Sequence, residues 1–139
     1  MGWDKMKHLF IINPAAGKGK TLKRIPEIKE YCESHGYRYE IAITEYTGHA
    51  TEIAKAHCSQ KLRIYSVGGD GTLNEVLNGM AGSESSLAAI PCGSGNDFIR
   101  SIVGKDIPDN IIQSTIEGSE HLIDYAMVND RYFVNITSL

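Results

Sequence analysis

Apolar and polar positions along the 139-residue chain follow two rhythms, one of short runs and one of three- and four-residue steps. His8–Ile12 (HLFII) is apolar and stops at Asn13-Pro14, which predicts a buried strand running straight into a loop. Leu22, Ile25, Ile28 and Cys32 recur at helical spacing, so an amphipathic helix is expected there, with Gly36 as its C-cap. Residues 37–43 alternate like a strand. Thr47-Gly48-His49 opens a second helix, carried by Ala50, Ile53, Ala54 and His57. Residues 63–67 (RIYSV) predict a third strand, 72–79 a helix through Leu73, Val76 and Leu77, and 87–90 (LAAI) a fourth strand closed by Pro91. Further on, 96–102 predict a helical turn or two, and 108–117 a helix with Pro108 in its first turn. Residues 121–128 and 131–136 predict two strands joined as a hairpin at Asn129-Asp130.

Strand and helix alternate four times. That pattern predicts an α/β fold of one domain over residues 1–139, a three-layer α/β/α sandwich with a mostly parallel sheet and antiparallel strands at one end. The chain stops at Leu139, directly after an apolar strand, and so reads as a piece of a longer protein.

The net charge of −3 gives no electrostatic case for nucleic acid as a partner. The charge is uneven. Residues 1–30 carry +4 and residues 31–139 carry −7. The basic segment either meets phosphates or forms a solvated helix face. The three cysteines, Cys32, Cys58 and Cys92, form no CxxC pair, so neither a disulfide framework nor a zinc knuckle is indicated and a reducing, cytoplasmic setting is expected. No apolar run reaches the roughly 18 residues of a membrane span. If the protein acts on lipid, it does so peripherally.

Three turn-rich segments each follow a predicted strand, at residues 13–19, 68–72 and 91–97. Ligands of open α/β sheets bind at the carboxyl ends of strands, so the three loops should gather on one edge. Gly68-Gly69-Asp70-Gly71-Thr72 precedes a helix. Glycines admit phosphate oxygens close to the backbone, and the helix N-terminus offers free N–H groups. Thr72 can cap that helix or donate to a phosphate. Asp70 would repel a phosphate unless Mg²⁺ lies between them; the plainer reading is an aspartate serving a tight turn. No Gly-Lys-Ser/Thr closes the loop, so it is not a Walker A site. Pro91-Cys92-Gly93-Ser94-Gly95-Asn96-Asp97 offers a hydroxyl and a carboxylate, or simply a helix cap. Asn13 can hold a neighbouring loop or a phosphate, and Lys18 and Lys20 are either phosphate contacts or solvated charges. His49, in a first helical turn, is expected to be neutral, and either contacts substrate or, the plainer reading, serves a local structural role. His8, His35, His57 and His121 lack metal-site spacing. Asp124, in an apolar strand, needs a partner or a metal unless it faces water.

Asn13-Pro14-Ala15-Ala16-Gly17, Gly68-Gly69-Asp70-Gly71-Thr72-Leu73-Asn74-Glu75-Val76 and Pro91-x-Gly93-Ser94-x-Asn96-Asp97-Phe98, in this order, resemble the catalytic domain of the diacylglycerol kinase family. Thr44-x-x-Thr47-Gly48-His49-Ala50 and Phe133-x-Asn135 look similar too. The glycine-aspartate motif alone is shared with NAD kinases. The resemblance implies the N-terminal domain fold of lipid and NAD kinases. It implies ATP bound by Asn13, Pro14, Ala15, Ala16, Gly17, Thr44, Gly69, Asp70, Gly71, Thr72, Leu73, Asn74, Glu75 and Ser94. It implies Mg²⁺ and water organised by Asp70, Asp97 and Asp124, and transfer of the γ-phosphoryl group to a lipid alcohol such as diacylglycerol at a membrane surface, in phospholipid biosynthesis. The family usually has Thr where this chain has Ser94; the hydroxyl is kept. A second, β-rich domain supplies the general base in the family, so none is assigned here. Two rivals stay open: an NAD- or sugar-phosphate-kinase relative, and a nucleotide-binding module inactive by itself. An unpaired sheet edge also leaves room for a homodimer.

Overall fold

The computed structural model describes residues 7–57, 59–83, 85–91, 116, 122–128 and 131–137, with Pro91 and the last two segments described by their backbone. The chain builds strand β1 (His8–Ile12), helix α1 (Arg24–Ser34), β2 (Tyr39–Ile43), α2 (His49–Ala56), β3 (Arg63–Gly68), α3 (Asp70–Met80), β4 (Ser86–Pro91), β5 (Leu122–Val128) and β6 (Arg131–Thr137). The first four strands form one parallel sheet in the order β2-β1-β3-β4.

β1 and β3 are buried along their whole length, the mark of central parallel strands covered on both faces. Alternate side chains divide between the two faces. Phe10, Ile12, Tyr65, Val67 and Ile90 pack with Ile28 and Cys32 of α1. Leu9, Ile11 and Ile64 pack with Ala50 and Ala54 of α2 and Val76 and Met80 of α3. Helices therefore cover both faces, as expected. Ile116, described within the expected 108–117 helix, is helical and completely buried on the α1 side. Burial pushes the Cys32 thiol up to about 11, with Glu33 adding to the effect, so this cysteine is core and unreactive.

Local chemistry explains the element ends. α1 finishes at Gly36, whose φ of 70° suits glycine. The Gly36 N–H donates to the Glu33 carbonyl and the Tyr37 N–H to the Cys32 carbonyl, a Schellman closure. That turn consumes Tyr37, so β2 begins at Tyr39 rather than 37. The helical spacing placed Leu22 in α1, and there the structure differs: Leu22 precedes the helix and is 43% exposed. Thr21 takes the inward place instead, fully buried, its hydroxyl donating to the Asn13 carbonyl. Pro26 sits in the first turn of α1, where no intrahelical N–H is needed.

Helices α2 and α3 cross closely at Gly79. A Cβ there would lie 2.3 Å from the Thr51 carbonyl oxygen and 2.6 Å from the Ala54 methyl. The Thr51 hydroxyl donates to the Glu75 carbonyl across the same crossing. The last two strands pair antiparallel around residues 129 and 130, with Val128 opposite Arg131. They form a separate two-stranded sheet, with β6 against α3, instead of extending the parallel one.

Candidate functional site: the carboxyl edge of the sheet

Strand order sets the location. From β1 the chain crosses to β2 on one side, then returns to β3 and continues to β4 on the other. The reversal leaves a crevice above the ends of β1 and β3, the usual ligand position in open α/β sheets. Asn13 stands in it. Its backbone N–H donates to the Val67 carbonyl of β3, and the Thr44 N–H donates to the Ile12 carbonyl, so three strand ends are laced together where they stop.

The Asn13 side chain uses both its polar atoms. Oδ1 accepts the Ala15 N–H at 3.0 Å, folding the loop, and Nδ2 donates to Thr72 Oγ1 at 3.1 Å. The β1 loop and the first turn of α3 are thereby joined. Beyond Ala15 the backbone turns left-handed through Gly17, Lys18 and Gly19, with φ of 63°, 55° and 86°. Glycine adopts this freely, while Lys18 does so at a cost of about 1 kcal/mol. Lys18 and Lys20 are both exposed.

β3 turns into α3 within one residue. Gly69 is the N-cap and brings no side chain to cap the helix. Gly68 must be glycine for a steric reason: a Cβ would sit 2.7 Å from Thr72 Oγ1. Asp70 lies in the first helical turn rather than in a turn of its own, a favourable place for a negative charge. Thr72 is buried and accepts from Asn13; it makes no cap bond, so the capping role does not appear.

A cleft of about 230 Å³ opens beside this junction. Of the residues expected at a nucleotide, Asn13, Pro14, Ala15, Thr44, Thr72 and Glu75 line it. Glu75 Oε1 also accepts the Gly48 N–H at the start of α2. Ala16 lies against the β3–α3 corner, 3.5 Å from where a Gly68 Cβ would be. Gly71 has open space around it. The Leu73 side chain faces Ala89 in the core, and its N–H bonds to the Gly69 carbonyl. The Asn74 carbonyl accepts from Asn78. Ser94 and Asp97 lie outside the described residues. Asp124 sits on β5 opposite Asn135.

Glu45, Tyr46, Thr47 and Ala50 also line the cleft, and sequence reasoning did not place them there. Tyr46 had a signal: an aromatic in a polar loop following a strand on the same edge. Its ring stacks on His49, centroids 4.4 Å apart and planes within 8°. Its hydroxyl donates to Glu52, and that bond, ahead of burial and of charge from Glu52 and Glu45, raises the phenol above its usual value. His49 Nδ1 accepts the Glu45 N–H at 2.9 Å, which ties the ring to its own loop, the local structural role expected of it.

These residues fit a nucleotide triphosphate with Mg²⁺. The uncapped α3 N-terminus and the open flank of Gly71 suit phosphate. Among the described residues no three His, Cys, Asp or Glu side chains gather as a metal cage. Mg²⁺ on a nucleotide asks for less, one or two carboxylates plus the phosphates, and the first turn of α3 carries one carboxylate, Asp70. No helix among the described residues is long and apolar enough to cross a membrane.

Known proteins resemble this chain in sequence and fold. The chain is 35% identical over 135 residues to a diacylglycerol kinase of Staphylococcus saprophyticus, covering 93% of this chain and 43% of that protein. With a diacylglycerol kinase of Staphylococcus aureus it shares 36% over 135 residues, 93% of this chain and 42% of the other. The crystal structure of a diacylglycerol kinase from Bacillus anthracis superposes with a TM-score of 0.72 at 30% identity, over 96% of this chain and 49% of that one. The chain thus spans less than half the length of these relatives. The family model described as the diacylglycerol kinase catalytic domain matches residues 7–128, and the chain belongs to that family.

Proposed function

We propose that this chain supplies the ATP site of a lipid kinase that transfers the γ-phosphoryl group to the hydroxyl of diacylglycerol or a similar lipid. The observation that carries the reading is the Asn13–Thr72 bond beside the cleft, because it unites two phosphate-type loops at the switch point. The cleft is smaller than the roughly 300–1,000 Å³ of a whole small-molecule site, which suits one part of a nucleotide.

In this reading the first N–H groups of α3 hold the phosphates, and Gly69 and Gly71 let them approach. Asn13 keeps the two loops at fixed separation. Asp70 anchors Mg²⁺ together with Asp97 and Asp124, and Ser94 adds a hydroxyl donor. Mg²⁺ supplies neutralisation of the phosphate charge that grows during transfer. The family membership supports lipid as acceptor. The general base and most of the lipid site belong to a second, β-rich domain of the longer protein, which acts at the membrane surface.

Calorimetric titration of this chain with ATP, with and without Mg²⁺ and with NAD as a control, tests the site. Saturable, magnesium-dependent ATP binding is expected. Binding of NAD in preference to ATP would turn the reading toward an NAD-kinase relative. Transfer itself is checked with the longer protein and diacylglycerol in vesicles.

A further inference from the structure

We propose that Tyr46, backed by His49, is the platform on which the base of the nucleotide stacks, which makes this edge selective for purine nucleotides. The inference rests on the nucleotide reading of the cleft and adds the orientation of the ligand within it.

Tyr46 lines the cleft yet is 56% exposed, the most exposed of the large hydrophobic side chains described. An aromatic ring left this open is normally mobile; this one is held at several points. His49 covers one face in a parallel stack. The hydroxyl is tied to Glu52, and the Tyr46 carbonyl accepts the His49 N–H at 3.1 Å. His49 is itself fixed by the Glu45 N–H on Nδ1. A rigid ring loses little entropy when a flat partner lands on it. Base stacking on such a ring is worth roughly tenfold or more in affinity, and the two fused rings of a purine overlap it more than the single ring of a pyrimidine.

The supply of hydrogen-bond donors decides which end of the nucleotide goes where. Glu45 lines the cleft beside Tyr46, and Glu52 holds the ring's hydroxyl. Neither offers a phosphate a donor, whereas the first turn of α3 presents backbone N–H groups. Thr72, in the first turn of α3 behind its uncapped N-terminus, lines the same cleft. A nucleotide with its base on Tyr46 and its phosphates toward Gly69–Thr72 satisfies both ends.

The test compares wild type, Tyr46→Ala and Tyr46→Trp in titrations with Mg·ATP, Mg·CTP and Mg·tripolyphosphate. Tyr46→Ala should weaken ATP about tenfold, weaken CTP less, and leave tripolyphosphate unchanged; Tyr46→Trp should restore ATP affinity. An unchanged ATP affinity in Tyr46→Ala overturns the platform and leaves the nucleotide site standing. An equal loss for ATP and tripolyphosphate also overturns it, since the ring would then only shape the loop. Failure of wild type to bind ATP while folded overturns both readings.

Discussion

Asn13 and Thr72 are 59 positions apart in the chain, and the Asn13 amide nitrogen donates to the Thr72 hydroxyl at 3.1 Å. One bond thus sets the spacing between the two loops on which the proposed phosphate site depends.

Thr72→Val keeps the volume and removes the acceptor. Stability should fall by about 1 kcal/mol, the net value of such a bond. ATP affinity should fall more than that bond alone explains, because the loops lose their fixed separation. Denaturant unfolding and calorimetry on the same protein measure both. A variant that unfolds earlier yet binds ATP normally would show that the bond serves the fold and not the ligand.

Asp70→Asn separates a metal role from a structural one. Losing a first-turn carboxylate costs about 0.3–1 kcal/mol of stability. Affinity for Mg·ATP should drop roughly tenfold, or 1.4 kcal/mol. Affinity for metal-free ATP should hold or improve, since a repelling charge is gone. An identical loss with and without Mg²⁺ would remove Asp70 from the metal.

Gly79→Ala should destabilise the protein by about 1–3 kcal/mol. Alanine favours a helix by about 1 kcal/mol over glycine, but its methyl would press on the Thr51 carbonyl, a backbone atom that cannot step aside. Urea unfolding measures the difference. A more stable variant would contradict the close α2–α3 crossing.

Glu40 predicts an acid-side loss of stability. The Lys7 hydrogen bond lowers its pKa below the ordinary 4.5, helped by the charges of Lys7 and His57 and opposed by burial. A carboxylate depressed on folding stabilises above its unfolded value, and the gain is lost as pH falls through the folded value. The pair is partly exposed, so the effect is small, within about 1 kcal/mol. The melting temperature of wild type should fall more steeply below pH 4.5 than that of Glu40→Gln. Parallel curves would assign the acid transition elsewhere.

Periodicity and punctuation were enough to place the parallel sheet and its helices. Strand β1 stands at the predicted residues, and Gly36 ends α1 as expected, because burial on two faces and a left-handed cap are both local properties. The loops of the site were legible for the same reason: glycines and Asn-Pro stand out in any sequence. Leu22 misled because helical spacing says nothing of which neighbour, Thr21 or Leu22, reaches the interior. The separation of β5 and β6 into their own sheet was also invisible, since a hairpin pattern does not say which edge it joins. Sequence by itself determined the elements, their order and the residue types available for phosphate chemistry. Only the tertiary structure decided that Asn13 meets Thr72 and that the Tyr46–His49 stack stands at the cleft. Asn13 and Thr72 are brought together by packing across 59 positions, a distance no local pattern encodes, whereas Tyr46 and His49 are near neighbours and only their place at the cleft is tertiary.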